Sequence, residues 1–230
     1  MRTTRFWVSF SVLGLLLAGC GAAPGEGELG NDRFLYACVE RSDAACDDAS
    51  SPTASLELLP VLAKGAVFRL LTENPANVPY SPTPRLTVID GEAVTFRAEM
   101  AGYSAIFARD ANGNVRDLVH AMVVEPAAVT LLTRQGGSAW LESGATLSVP
   151  VGSTVALRSA PADALGHVLA GALDVVWSST PEDLLATVAK VDGNVLLIAP
   201  EAPAEGELKV TVAGSLLAKV KFVAAVGGGK

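Results

Sequence analysis

Residues 103–126 read YSAIFARDANGNVRDLVHAMVVEP. Two β-prone runs, Tyr103 to Arg109 and Val115 to Val124, flank Asp110-Ala111-Asn112-Gly113-Asn114. Asn-Gly supplies the positive φ that a tight turn demands, so the stretch predicts a hairpin. The turn also sets Asp110, Asn112 and Asn114 at alternate positions, as the first ligands of an EF-hand are set. That loop needs glycine at its sixth position and an acid at its twelfth. Here those places hold Val115 and Ala121, which favours a plain turn over a calcium loop.

The same grammar continues on both sides. Ala66 to Thr72, Arg85 to Ile89 and Ala93 to Ala98 are further strand runs, and Val129 to Leu132 opens another after Val124-Glu125-Pro126-Ala127. Short runs rich in Val, Ile, Thr and Phe, punctuated by Gly, Pro, Asn and Asp, predict an all-β chain. Its length suits two small domains, expected at residues 32–125 and 126–226, with residues 227–230 as a tail. Near the end, Lys219 and Lys221 interrupt the apolar run Leu216 to Val226. They read as the solvent face of an ordinary strand rather than guards on an open edge.

In the second half the order is GSTVALRS (152–159), PADALGHVLAGALDVVWSS (161–179), LLATVAKVDGNVLLIAP (184–200) and GELKVTVAGSLLAKVKFVA (206–224). Gly152-Ser153-Thr154 opens a strand, Trp177-Ser178-Ser179 closes one, and Asp192-Gly193-Asn194 forms a turn. From Val129 to Val226 this pattern resembles the bacterial immunoglobulin-like domains of surface and adhesion proteins. Trp177, on a central strand, is expected to bury roughly 150–250 Å², on the order of 4–6 kcal/mol. AVFRL, VTFRA and FARDANGNVRDLV suggest that the first half is a divergent copy. Gly102-Tyr103, at the head of a strand, resembles a tyrosine corner. The expected fold is therefore all-β, with two immunoglobulin-like β-sandwich domains in tandem after a flexible tether.

That tether follows an export signal. Arg2 and Arg5 precede an apolar run from Phe6 to Leu17, too short to span a bilayer, and small residues lead to Cys20. Leu17-Ala18-Gly19-Cys20 resembles the lipobox of bacterial lipoproteins. The resemblance implies cleavage after residue 19, diacylglycerol on Cys20 and an acylated amino group. Several acyl chains would anchor firmly where one holds only marginally. Gly21 in place of aspartate after the cysteine implies the outer membrane, in an organism that has one. Gly21 to Asn31 (GAAPGEGELGN) has no apolar period, so residues 20–31 are expected to be flexible.

Three cysteines in an exported chain leave one odd, and lipidation of Cys20 would remove it. Cys38 and Cys46 are then expected to form a disulfide, restricting the unfolded chain by about 2.5 kcal/mol. No histidine lies between them, so a zinc site has too few ligands. Asp43, Asp47 and Asp48 read as solvated, with a weak calcium site as the alternative.

Removal of Arg2 and Arg5 with the signal takes the formal charge from −7 to −9. An acidic chain of this kind is not expected to bind nucleic acid, whose phosphates demand a basic face. His120 and His167 lie far apart in sequence and outside any HExxH spacing. There is no GxSxG elbow, and Gly136-Gly137-Ser138 lacks the lysine of a phosphate loop. No cofactor, metal or catalytic residue is implied. Two functions remain: a lipid-anchored envelope module that meets a protein or surface partner, or a lipoprotein that binds a small ligand, glycan or calcium or inhibits an exported enzyme.

Overall fold

The computed structural model describes residues 26–37, 43–46, 55–56, 61–90, 94–136 and 138–226. The first half runs β1 (Phe34–Ala37), β2 (Ser55–Leu56), β3 (Leu62–Ala63), β4 (Val67–Thr72), β5 (Val78–Tyr80), β6 (Leu86–Asp90), β7 (Thr95–Ala98), β8 (Gly102–Arg109) and β9 (Val115–Val124). The second runs β10 (Ala128–Arg134), β11 (Leu141–Glu142), β12 (Thr146–Pro150), β13 (Val155–Ala162), β14 (Val175–Thr180), α1 (Leu184–Val188), β15 (Ala189–Asp192), β16 (Val195–Ile198), β17 (Ala204–Val212) and β18 (Leu216–Ala225).

The first half forms two sheets, ordered β2-β1-β4-β7-β6 and β3-β9-β8-β5. The second forms β11-β10-β13-β16-β15 and β12-β18-β17-β14. Raising each strand label of the first half by nine reproduces the second. In each half one sheet has the A-B-E-D order of an immunoglobulin fold and the other has G-F-C. A short strand, β3 or β12, pairs parallel with the last strand of its half. The chain is thus two immunoglobulin-like β-sandwiches in tandem, with one topology used twice.

The decisive hairpin forms as its turn chemistry requires. β8 and β9 pair antiparallel from Gly102↔Val123 to Arg109↔Val115. Gly113 takes φ 83°, and the Asp110 carboxylate accepts the N–H groups of Asn112 and Asn114, each at 2.9 Å. The alternating polar residues therefore close a turn.

The two cores use different aromatics. In the first, Tyr36, Phe68 and Phe96 stack across β1, β4 and β7 with centroid separations of 6.1 and 5.5 Å. In the second, Trp177 is buried and its Nε1–H donates to the Gly193 carbonyl at 3.2 Å. Trp177 thus ties its own sheet to the turn between β15 and β16. Its strand, β14, is an edge strand and not a central one. Tyr103 lies on the strand where a tyrosine corner would be sought, but it points outward, 68% exposed, and makes no corner. β18 is flanked by β12 and β17, with Lys219 and Lys221 on its solvent face.

The connection between β13 and β14 leaves its own sandwich and grips the first. Ala63 donates to the Ala170 carbonyl at 2.9 Å, Ala170 donates to Val61 at 2.8 Å, and Val67 and Ala172 exchange two bonds at 2.8 Å. Ala170 joins the first core, while Leu169 packs with Ala63 and Ala66. At this junction Asp43 is buried, which corrects its reading as solvated. Its carboxylate accepts the Tyr36 hydroxyl, the Ala45 N–H at 2.9 Å and the Gly171 N–H at 3.0 Å. Asp47 and Asp48 lie outside the described residues. Arg158 of β13 completes the contact, donating to the Cys46 carbonyl at 3.1 Å while its guanidinium lies 4.3 Å from the Trp140 ring centre.

Gly171 has φ 97°, and a Cβ there would sit 2.5 Å from that of Ala66. We expect Gly171→Ala to cost about 2 kcal/mol or more, from strain plus overpacking. Gly152→Ala, at φ 80° with open space around it, carries the strain alone and serves as the control. Denaturant midpoints of the two variants measure the difference, and equal losses would mean that the close approach is unimportant.

Desolvation raises the Asp43 carboxyl above its ordinary range, against the hydrogen bonds it accepts. Desolvation, then the Asp43 charge, raises the Tyr36 phenol. A raised carboxyl binds its proton more tightly in the folded state, so this junction gains stability as pH falls through the folded value toward the ordinary range. Asp43→Asn should stay within about 1 kcal/mol of wild type and lose that pH dependence. Asp43→Ala, which strands three donors, should cost about 2–4 kcal/mol. Urea titrations at several pH values read both.

Candidate binding groove at the loop end of the first sandwich

The groove starts from a carboxylate in an unexpected place. Counting by twos along β9, Ala121 and Val123 face the core, and so does Asp117, which is fully buried. One oxygen accepts the N–H groups of Leu29 at 2.9 Å and Leu118 at 2.7 Å. The other accepts those of Asn31 at 2.6 Å and Asp32 at 2.8 Å. Burial pushes this carboxyl up, but the four N–H groups outweigh burial and hold it below its ordinary value.

Asp117 thereby fastens the chain ahead of β1 onto β9. Gly27 donates to Asp32, and Glu28 to Leu118, each at 2.9 Å. Gly27 has to be glycine, because a Cβ would lie 2.1 Å from the Asp117 carboxyl carbon. Glu28 also pairs with His120 on the surface. Of the segment expected to be flexible, Glu26 to Asn31 is therefore docked; Cys20 and residues 21–25 lie outside the described residues.

Asp32, also buried, extends the network to the loop between β4 and β5. It accepts the Asn74 N–H at 3.2 Å and the Asn77 side-chain amide at 2.6 Å. On the far side stands the β8–β9 turn, where Arg116 lies 2.7 Å from Asp110. The hydrogen bond from the Asn114 side chain, with further N–H groups and Arg116, holds the Asp110 carboxyl below its ordinary value. Between these walls lies a groove of about 510 Å³, lined by Leu29, Asn31, Asn74, Asn77, Val115 and Arg116 among others. In immunoglobulin variable domains the B–C and F–G loops at this end carry recognition. A second, more apolar cleft of about 350 Å³ lies across the turn, where the Arg109 guanidinium sits 3.6 Å from the Tyr80 ring centre.

The other expected site residues are scattered. His120 is at the surface beside Glu28, and His167 caps an exposed loop with Asp163 at 3.1 Å. Cys46 is buried; Cys38 lies outside the described residues, and with it the expected bridge. Among the described residues no three His, Cys, Asp or Glu side chains converge as a metal site. Sequence reading missed Asn31, Asp32, Asn74, Asn77 and Asp117. One signal was available: Asp117 falls on the inward phase of an alternating strand.

No family model matches the chain, and no curated protein does. Solved structures match in outline. Domains 1–6 of the surface layer protein SbsC share 14% identity, covering 71% of this chain and 24% of that one at a TM-score of 0.32. The N-terminal Ig1-2 module of the Drosophila receptor protein tyrosine phosphatase DLAR shares 14%, covering 73% and 94% at 0.27. SGBP-B of a Bacteroides ovatus mixed-linkage glucan utilization locus, solved with a heptasaccharide, shares 9%, covering 73% and 44% at 0.32. The chain spans about a quarter of the SbsC fragment it matches.

Because the Asp117 carboxyl is held low, its contribution is present above the unfolded carboxylate value of about 3.9 and is lost as pH falls through the folded value. We expect amide exchange at Leu29, Asn31 and Asp32 to accelerate first in acid, ahead of the core. Asp117→Asn should release the same amides near neutral pH, at a cost of about 2–4 kcal/mol. Unchanged protection in that variant would remove Asp117 from its fastening role.

Proposed function

We propose that this chain is an envelope lipoprotein that acts without catalysis, holding its two sandwiches at a membrane so that the loop end of the first meets a surface partner. Cys20 carries the lipid, and the outer membrane is its site in an organism that has one. The reading is carried by the docked segment Glu26–Arg33. Fastening this segment to β9 leaves six peptide steps between Cys20 and the folded body, roughly 20 Å at full extension. The groove, one wall of which is that segment, then lies at the anchored end. The grip of the β13–β14 connection sets the second sandwich at the opposite end, projecting away.

A Cys38–Cys46 disulfide belongs to the same reading. It would close the loop that presents Asp43 and Cys46 to the second sandwich, so oxidation on export and the joining of the two halves would be coupled.

Metabolic labelling with a radiolabelled fatty acid tests the anchor. Wild-type protein should carry label and sediment with membranes, and Cys20→Ser should be unlabelled and remain soluble after lysis. Label on the variant ends the proposal. Intact mass with and without reductant should differ by two hydrogens, and two alkylatable thiols in the unreduced native protein would rule the bridge out.

A further inference from the structure

We infer that the groove between the β4–β5 loop, the β8–β9 turn and the docked N-terminal segment binds a neutral oligosaccharide. The inference rests on the reading of the chain as a binding module, and it names the ligand class. Its basis is a set of side-chain amides whose orientation is fixed by partners that can only accept or can only donate.

Asn77 is 7% exposed and lines the groove. Its Nδ2 donates to Asp32 at 2.6 Å, so its Oδ1 is left as an acceptor with no partner among the described residues. Asn31 repeats the arrangement, donating from Nδ2 to the Arg116 carbonyl at 3.1 Å and keeping Oδ1 unused. Asn74 is the inverse: its Oδ1 takes the Ala76 N–H at 3.0 Å, which leaves Nδ2 to donate. Arg116 spends one guanidinium nitrogen on Asp110 and holds the rest outward. Fixed acceptors and fixed donors therefore face one concave space.

The charged groups there are already engaged, Arg116 with Asp110 and Asp32 with the Asn74 N–H and the Asn77 amide. An anion would meet Arg116 already paired, with the carboxylates of Asp110 and Asp32 nearby. A cation would find Asp110 occupied by Arg116, by two backbone N–H groups and by the Asn114 amide. A ligand that is uncharged, donates and accepts from the same atom, and repeats along a chain fits what remains, and sugar hydroxyls do this. Exposed Leu29 and Val115 supply apolar surface for the C–H faces of the rings. An extended peptide would call for an open strand edge with side-chain pockets, whereas this groove is walled by loops. Among the described residues no aromatic ring lines it, so single-site affinity should be low, and crowding on a membrane would supply avidity.

The test uses the full chain as isolated, in detergent micelles, titrated by calorimetry with gluco-, manno-, xylo- and galacto-hexaoses. Polygalacturonate and an unstructured peptide are the contrasting probes. The expected result is saturable binding of at least one neutral hexaose, insensitive to added salt, and weakened about tenfold or more by combining Asn31→Ala with Asn74→Ala. Ala76→Met, which extends an aliphatic chain into the groove, adds no ring and removes no hydrogen-bonding side chain, should weaken binding about tenfold or more at an unchanged melting temperature. No neutral binding, binding of the polyuronate or peptide alone, or full affinity in the Ala76→Met variant would each overturn the inference. Fatty-acid labelling is read separately, so failure of the sugar experiment leaves the anchor standing, and failure of the anchor leaves the groove standing.

Discussion

The tandem depends on one buried carboxylate. Asp43 lies in the loop between two cysteines, and its three donors come from β1, from its own loop and from the second sandwich. Removing a carboxylate from water is costly, and its raised proton affinity reflects this cost. The hydrogen bonds offset that cost only when β1, the loop and the β13–β14 connection are all in place. Three segments far apart in sequence are thereby made conditional on one another. Arg158, buried against the Trp140 ring, adds a second polar bond to the same loop.

Asp117 does at the other end of the first sandwich what Asp43 does at the junction. Each is a buried acid, and each gathers N–H groups from a segment with no regular strand partner. Fixing backbone in this way costs conformational entropy of about 1–2 kcal/mol per residue. A charge-assisted bond to each N–H is worth about 1.5–3 kcal/mol and can offset it. A glycine-rich segment with no apolar period can therefore become part of the folded body.

The repeating parts of the fold were legible. Alternation in Tyr103–Arg109 and Val115–Val124 and the Asn-Gly turn were enough for β8 and β9, and the Trp177 and Asp192-Gly193 motifs marked the second sandwich. Period-two reasoning reports only local pairing, however, so it could not say that β14 is an edge or that β12 runs parallel to β18. It also failed wherever a side chain works through the backbone of a distant segment. Asp43 looked like a solvated acid and Gly21 to Asn31 like a tether because composition averages over neighbours in sequence. The contacts that matter span 85 residues or more. The groove was invisible for the same reason: its asparagines are ordinary loop residues until the partners that orient them are known.

Repetition of one topology lets the same loop take opposite roles in the two halves. Between β4 and β5 the loop is five residues, Glu73 to Asn77, and its Asn74 and Asn77 side chains line the groove. Between β13 and β14 its counterpart runs from Asp163 to Asp174, long enough to cross to the first sandwich and pair with Val61, Ala63 and Val67. A loop committed to backbone pairing has few groups left for a ligand, so joining the halves removes this surface of the second sandwich from recognition. The corresponding surface of the first lies at the far end of its strands from that joint. The division between a gripping sandwich and a displaying one follows from loop length on a shared framework.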